Sequence, residues 1–195
     1  MTPSHQGRPS KRLFAAVELP DDVRAGIGDW VAGSGLDRDD LRLVAPERWH
    51  ITLAFFGDVP EAKIDDLTER LGRAIARTPA FSIQLTGIGT FPINASRACV
   101  LWLGVAGDTV PLGRLADRYR AAGRRLGLPM PEEKFRPHLT LARARRGSVD
   151  LSASLAGHRG YDGSTWPVTS ARLVHSTLGP SVRHDPVAEF QLGAG

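Results

Sequence analysis

Cysteine is nearly absent from the 195-residue sequence, where Cys99 is the only one. No intrachain disulfide can form, and a zinc cluster built on several thiolates is excluded. Cys99 lies in the apolar run Ala98 to Val105, so the expectation is a buried, unreactive thiol. Long apolar runs are missing too. No stretch approaches the roughly 20 apolar residues that cross a bilayer, and no membrane partner is expected. The polar, proline-bearing start from Met1 to Lys11 lacks the apolar centre of a secretion signal. It reads as a flexible tail (residues 1–11) on a cytoplasmic protein. Charge of one sign is in small excess: the net charge is +4 and the isoelectric point about 9.8. That is compatible with a phosphate-bearing partner without demanding one. His5, His158 and His175 have no metal-ligand spacing with one another or with acidic residues, so neither a metal nor a cofactor is expected.

What the sequence does contain is a pair of echoing stretches, His50-Ile51-Thr52-Leu53-Ala54 and His138-Leu139-Thr140-Leu141-Ala142. Each alternates polar and apolar residues, the pattern of a half-buried strand. Residues i and i+2 of a strand share a face, so each histidine stands beside its threonine while the apolar residues anchor the strand from behind. Composition alone gives about 0.3 His-x-Thr triplets, and fewer still with apolar residues between, so two such matches call for a cause other than chance. A third triplet, His175-Ser176-Thr177, has a polar residue between and no matching lead-in; it reads as a coincidence on a neighbouring strand.

The surrounding chain repeats as well. Arg12 to Leu19 reads as a buried strand, Pro20-Asp21-Asp22 opens a helix with Val23, Ile27, Trp30 and Val31 as its stripe, and the first His-Thr strand follows. A helix from Asp58, a strand over Phe81 to Ile88, and a buried strand over Cys99 to Val105 come next. Then a helix over Asp108 to Leu126, carrying Leu112, Leu115, Tyr119 and Ala122, leads to the second His-Thr strand. The spacing from Phe14 to His50 nearly equals that from Val100 to His138, which marks an internal duplication. Val149 to His158 reads as a weak helix or loop, and Pro167 to Leu178 and Val187 to Leu192 as strands. No low-complexity linker separates two independent domains. The expected architecture is one α+β domain over residues 12–195, with two antiparallel-rich sheets, helices outside and a central cleft. Its two lobes are built around the strands at 50–56 and 138–143.

Two imidazoles facing one cleft suit general acid–base chemistry, because each titrates near neutrality. The neutral one accepts a proton from water; the protonated one gives a proton to a leaving alkoxide. The threonine hydroxyls are placed to hold phosphate oxygens and stabilise developing charge. Arg136 precedes the second histidine by two residues and is a candidate phosphate contact. Arg143, Arg145, Arg146 and Lys134 are candidates for tracking an RNA backbone, with a solvated basic turn as the alternative. Of Phe55 and Phe56, one faces the core and the other is free to stack on a base; Phe56 is taken as the candidate contact.

With these residues in view, the chain resembles the 2H phosphoesterase superfamily, whose signature is two His-x-Thr-x motifs in a duplicated α+β fold. More narrowly it is similar to the RNA 2′,3′-cyclic phosphodiesterases, also called 2′-5′ RNA ligases. The resemblance runs from Arg12-Leu13-Phe14 and Leu19-Pro20 through His50 to Val59, then Phe135 to Arg143, to a closing strand with Ser176. It implies hydrolysis of a terminal RNA 2′,3′-cyclic phosphate to a 2′-phosphate, with weak reverse 2′-5′ ligation. It also implies His50 as proton donor, His138 as proton acceptor, and Thr52 and Thr140 as phosphate ligands. The sequence itself is symmetric in the two roles. His184 stands where similar proteins often carry a tyrosine, which implies an altered base or ribose preference. The partner expected is an RNA end or a small cyclic phosphodiester, and the expected state is a monomer. Two other readings remain: the same site acting on ADP-ribose cyclic phosphate or a 2′-5′ oligonucleotide, and an RNA-binding module without chemistry.

Overall fold

The computed structural model describes residues 9–157, 160–179 and 182–193; His5 and His158 lie outside the described residues. In chain order the elements are β1 (Ser10–Glu18), α1 (Asp21–Gly33), β2 (Leu41–Leu43), β3 (His50–Pro60), α2 (Ile64–Ile75), β4 (Phe81–Phe91) and β5 (Val100–Gly107). There follow α3 (Thr109–Arg125), β6 (His138–Ala144), α4 (Ser152–Gly157), β7 (Tyr161–Asp162), β8 (Trp166–Val168), β9 (Ser170–Thr177) and β10 (Arg183–Gln191). The strands run in the order β10-β9-β1-β3-β6-β5-β4-β7, with β2 added to β6 and β8 to β4. The fold is α+β, as the alternation of strand and helix patterns implies. The two expected sheets meet edge to edge, because β3 and β6 pair through one residue couple, Ile51 with Leu139.

The helices cover one face of this sheet. Val23 and Ile27 of α1, Leu67, Leu71 and Ile75 of α2, and Leu112, Leu115, Ala116, Tyr119 and Ala122 of α3 are buried. They join Leu13, Ala15, Val17, Ile51, Leu53, Leu139 and Leu141 in one core. Acidic Asp21 and Asp22 fill the first turn of α1, the end where the helix dipole favours them. Trp30 meets Tyr161 edge to face, tying α1 to β7 across the two halves. Phe14, Ala16 and Val174 form a small separate cluster on the opposite face of the sheet, where the histidines also stand.

Several elements differ from expectation. β1 starts at Ser10, two residues early. β3 continues to Pro60, since Val59 is buried and pairs with Lys11. The helix expected from Asp58 therefore begins at Ile64, after a 3-10 turn at Glu61–Lys63. Cys99 is exposed: it sits just before β5, and its neighbour Ala98 takes the buried position.

The most consequential departure lies within the two His-Thr strands. Ala15 pairs with Ala54 but Ala16 pairs with Thr52, leaving Leu53 as an extra, bulged residue; a second shift leaves out Phe56. β6 repeats the first of these. Leu101 pairs with Ala142 and Trp102 with Thr140, leaving out Leu141. A bulge adds one residue and reverses the inside–outside alternation beyond it. Strict alternation from His50 would put Phe56 on the same face as His50. With the bulge, Phe56 is 0% exposed and Phe55 is 37% exposed, so the candidate contact at Phe56 is corrected to Phe55. By the same device Arg143 emerges on that face of β6.

Candidate active site

The single β3–β6 pair fixes the register of the site. With Ile51 opposite Leu139, His50 stands across from Thr140, and Thr52 across from His138. All four turn away from the core, because both flanking residues, Ile51 and Leu139, are fully buried. Each histidine thus faces the other motif's threonine. The third triplet takes no part: His175 pairs with Leu13, a core residue, and directly paired residues share a face.

Both imidazoles are held in the same way. His50 Nδ1 donates to the carbonyl of Arg48 at 2.7 Å, and His138 Nδ1 to the carbonyl of Arg136 at 2.7 Å. With Nδ1 carrying the proton, each Nε2 is left as an acceptor. Thr52 Oγ1 donates to His50 Nε2 at 3.1 Å. An aromatic ring supports each imidazole. Phe14 stacks on His50 with centroids 4.7 Å apart, and Phe91 meets His138 edge-on at 5.0 Å. Trp102, opposite Thr140 in the ladder, lies 6.3 Å from His138.

Burial lowers both histidines below their ordinary value of 6.5, His50 to about 4. Hydrogen bonding to the main-chain carbonyls works against this shift, and the Arg143 charge adds to it at both sites. At neutral pH the site therefore presents two neutral imidazoles beside a cation, ready to take up a proton together with an anion.

The other candidates separate into those near this pair and those away from it. His184 adjoins it, with its ring 5.5 Å from His50 and 5.0 Å from Phe14. Ser176 pairs with His184 and shares its face, but is only 8% exposed beneath it. Arg143 is exposed and pairs with Arg42. Arg136 and Lys134 lie outside β6, in the loop before it, and line a cleft of about 600 Å³ that opens beside Thr52 and His138. Arg145 and Arg146 are exposed, and Arg145 Nε donates to the carbonyl of Leu41 at 3.0 Å. Sequence reasoning missed Phe14, Phe91, Arg42 and Arg48. For Arg48 there was a signal, since Arg-x-His occurs in both motifs and supplies the carbonyl that orients each ring. Among the described residues no three His, Cys, Asp or Glu side chains gather as a metal ion would need, and no helix is long and apolar enough to cross a membrane.

A duplicated α+β fold that brings two His-x-Thr strands together defines a phosphoesterase of the LigT-like class, and that family's model, "LigT like Phosphoesterase", matches residues 17–102. An RNA 2′,3′-cyclic phosphodiesterase of Archaeoglobus fulgidus is 31% identical over 170 residues, covering 87% of this chain and 93% of the relative. One from Geobacillus stearothermophilus is 27% identical over 179 residues, 92% of this chain; the chain spans only 56% of that longer relative. The crystal structure of Escherichia coli LigT in apo form superposes with a TM-score of 0.76 at 29% identity, covering 94% of this chain and 98% of the other. The chain belongs to the RNA 2′,3′-cyclic phosphodiesterase family.

Proposed function

We propose that the enzyme hydrolyses the 2′,3′-cyclic phosphate at the end of an RNA to a 2′-phosphate, with His50 as proton donor and His138 as acceptor. The observation that carries this reading is the matched pair of imidazoles. Both are oriented by the carbonyl two residues upstream, both present Nε2, and each stands across from the other motif's threonine. A water oxygen attacks phosphorus as the P–O3′ bond breaks. His138 Nε2 takes the water proton while a protonated His50 gives its own to O3′, and exchange with solvent restores the pair. Thr52 and Thr140 donate to the non-bridging oxygens, and the Arg143 charge offsets the negative charge that develops. The donor and acceptor assignment follows the family resemblance. Escherichia coli LigT has been solved with 3′-AMP and with phosphate, ligands of the kind such a site takes. If a 5′-hydroxyl replaces water as the attacking group, the same residues form a 2′-5′ linkage, so weak ligation belongs to this reading.

Because burial keeps both histidines of the free enzyme below 6.5, the proton that the pair needs is lost as pH rises. The predicted kcat/KM on an RNA ending in 2′,3′-cyclic phosphate is highest in the acid range. Above pH 6.5 it falls by about tenfold per unit, because kcat/KM reports the titration of the free enzyme. A steady-state pH series checks this. Activity that holds or rises to pH 8 contradicts it.

A further inference from the structure

The two halves differ at one place that matters for binding. In the second half, β2 lies along β6, pairing Leu41, Arg42 and Leu43 with Ala144, Arg143 and Ala142. That closes the edge of β6 beyond Thr140. The corresponding segment of the duplication, the stretch before His138, stays off β3, and only Ile51 is paired. The edge of β3 beyond Thr52 is left as one wall of the 600 Å³ cleft, with Met130, Pro131, Lys134, Phe135 and Arg136 on the other side.

This opening is built. Arg120 of α3 reaches the loop and donates through one nitrogen to the carbonyls of Pro131 at 2.8 Å and Glu133 at 2.7 Å. It fixes the loop from the helix side. Gly123, one turn further along α3, makes room for Met130: a Cβ there would come within 2.5 Å of its sulfur. Phe55, brought to this face by the bulge at Leu53, lines the cleft. Arg12 covers its ring, with the guanidinium 4.6 Å from the centroid. Phe55, Phe91 and Phe135 give the cleft aromatic walls, while Lys134 and Arg136 put two cations on its loop side.

We propose that this cleft is the binding site for the nucleotide on the 5′ side of the cyclic end. Its base stacks against the aromatic wall and its phosphodiester is held by Lys134 and Arg136. This rests on the reading of the site as one for RNA ends. Three features favour a nucleotide. The space is of the size that takes an organic ligand of a few hundred cubic ångströms. The walls are aromatic with cations beside them, the combination that binds single strands by stacking and charge. The cleft is also continuous with Thr52 and His138. The closed β2–β6 edge offers no equivalent, so the strand is received on one side of the pair only. The enzyme then recognises an RNA end in preference to a free cyclic mononucleotide.

The test is independent of turnover. Binding of two probes is measured by calorimetry on the full chain: adenosine 2′-phosphate and the dinucleotide ApA ending in a 2′-phosphate. The expected result is at least tenfold tighter binding of the dinucleotide. That preference shrinks severalfold in Lys134→Ala, and falls to near unity in Met130→Trp, which fills the cleft. Equal binding of the two probes, or a preference unchanged in both variants, overturns the proposal. Turnover of the corresponding cyclic phosphates is assayed alongside. A dinucleotide preference without turnover of either substrate would leave the subsite standing and remove the hydrolase reading.

Discussion

His50→Ala is expected to lower kcat on a cyclic-phosphate RNA by about 10²- to 10⁴-fold, the usual worth of a positioned general acid or base. His138→Ala is expected to lose a comparable amount. The double variant should lose far less than the product of the two losses, because groups that act as a unit are not additive. Product-end RNA should still bind, since Thr52, Thr140 and Arg143 remain. Neither imidazole belongs to the main core, which lies behind Ile51 and Leu139, so near-normal folding is the expected control. Steady-state kinetics beside circular dichroism check this. A folded His50→Ala enzyme with more than a tenth of wild-type kcat would remove His50 from the reaction and leave the RNA-binding module as the better reading.

The second large effect concerns two adjacent phenylalanines. Phe56→Ala is expected to destabilise the fold by about 3–5 kcal/mol, the range for emptying a large aromatic site in a core. Phe56 is fully buried and reaches α3, where its ring lies within 3.1 Å of the position a Cβ on Gly123 would take. Phe55→Ala should change stability little, because more than a third of its surface is already in solvent. Its effect should instead be a raised KM for RNA. Chemical denaturation of both variants, with KM measured on each folded protein, decides between them. If Phe55→Ala proves the more destabilising change, the bulge at Leu53 is misplaced, and with it the floor of the cleft.

That pair of residues marks the limit of what the sequence reveals. The His-Thr strands were legible because the period of a strand is two, and because the same text occurs twice with matching lead-ins. From them came the α+β class and the identity of the four side chains that share a face. The bulges were not legible. A bulge exists only relative to a partner strand, and Leu53 and Leu141 carry the same apolar signal whether or not they are paired. Phe56 was therefore read on the wrong face, and the reason for Arg143 lying beside the pair was out of reach. Cys99 failed for a related cause, since an apolar run does not say which of its ends lies outside the strand. The unequal edges at β2 and before His138 depend on the seating of a loop, which Arg120 decides from a helix far away in the chain.

The most direct test of the central claim is to incubate the pure protein with an RNA oligonucleotide ending in 2′,3′-cyclic phosphate, in EDTA, and map the phosphate on the product. His138→Ala serves as the control. The account predicts a 2′-phosphate formed by the wild type, with formation by the variant lowered at least a hundredfold. A 3′-phosphate, or equal turnover by the two proteins, would contradict it.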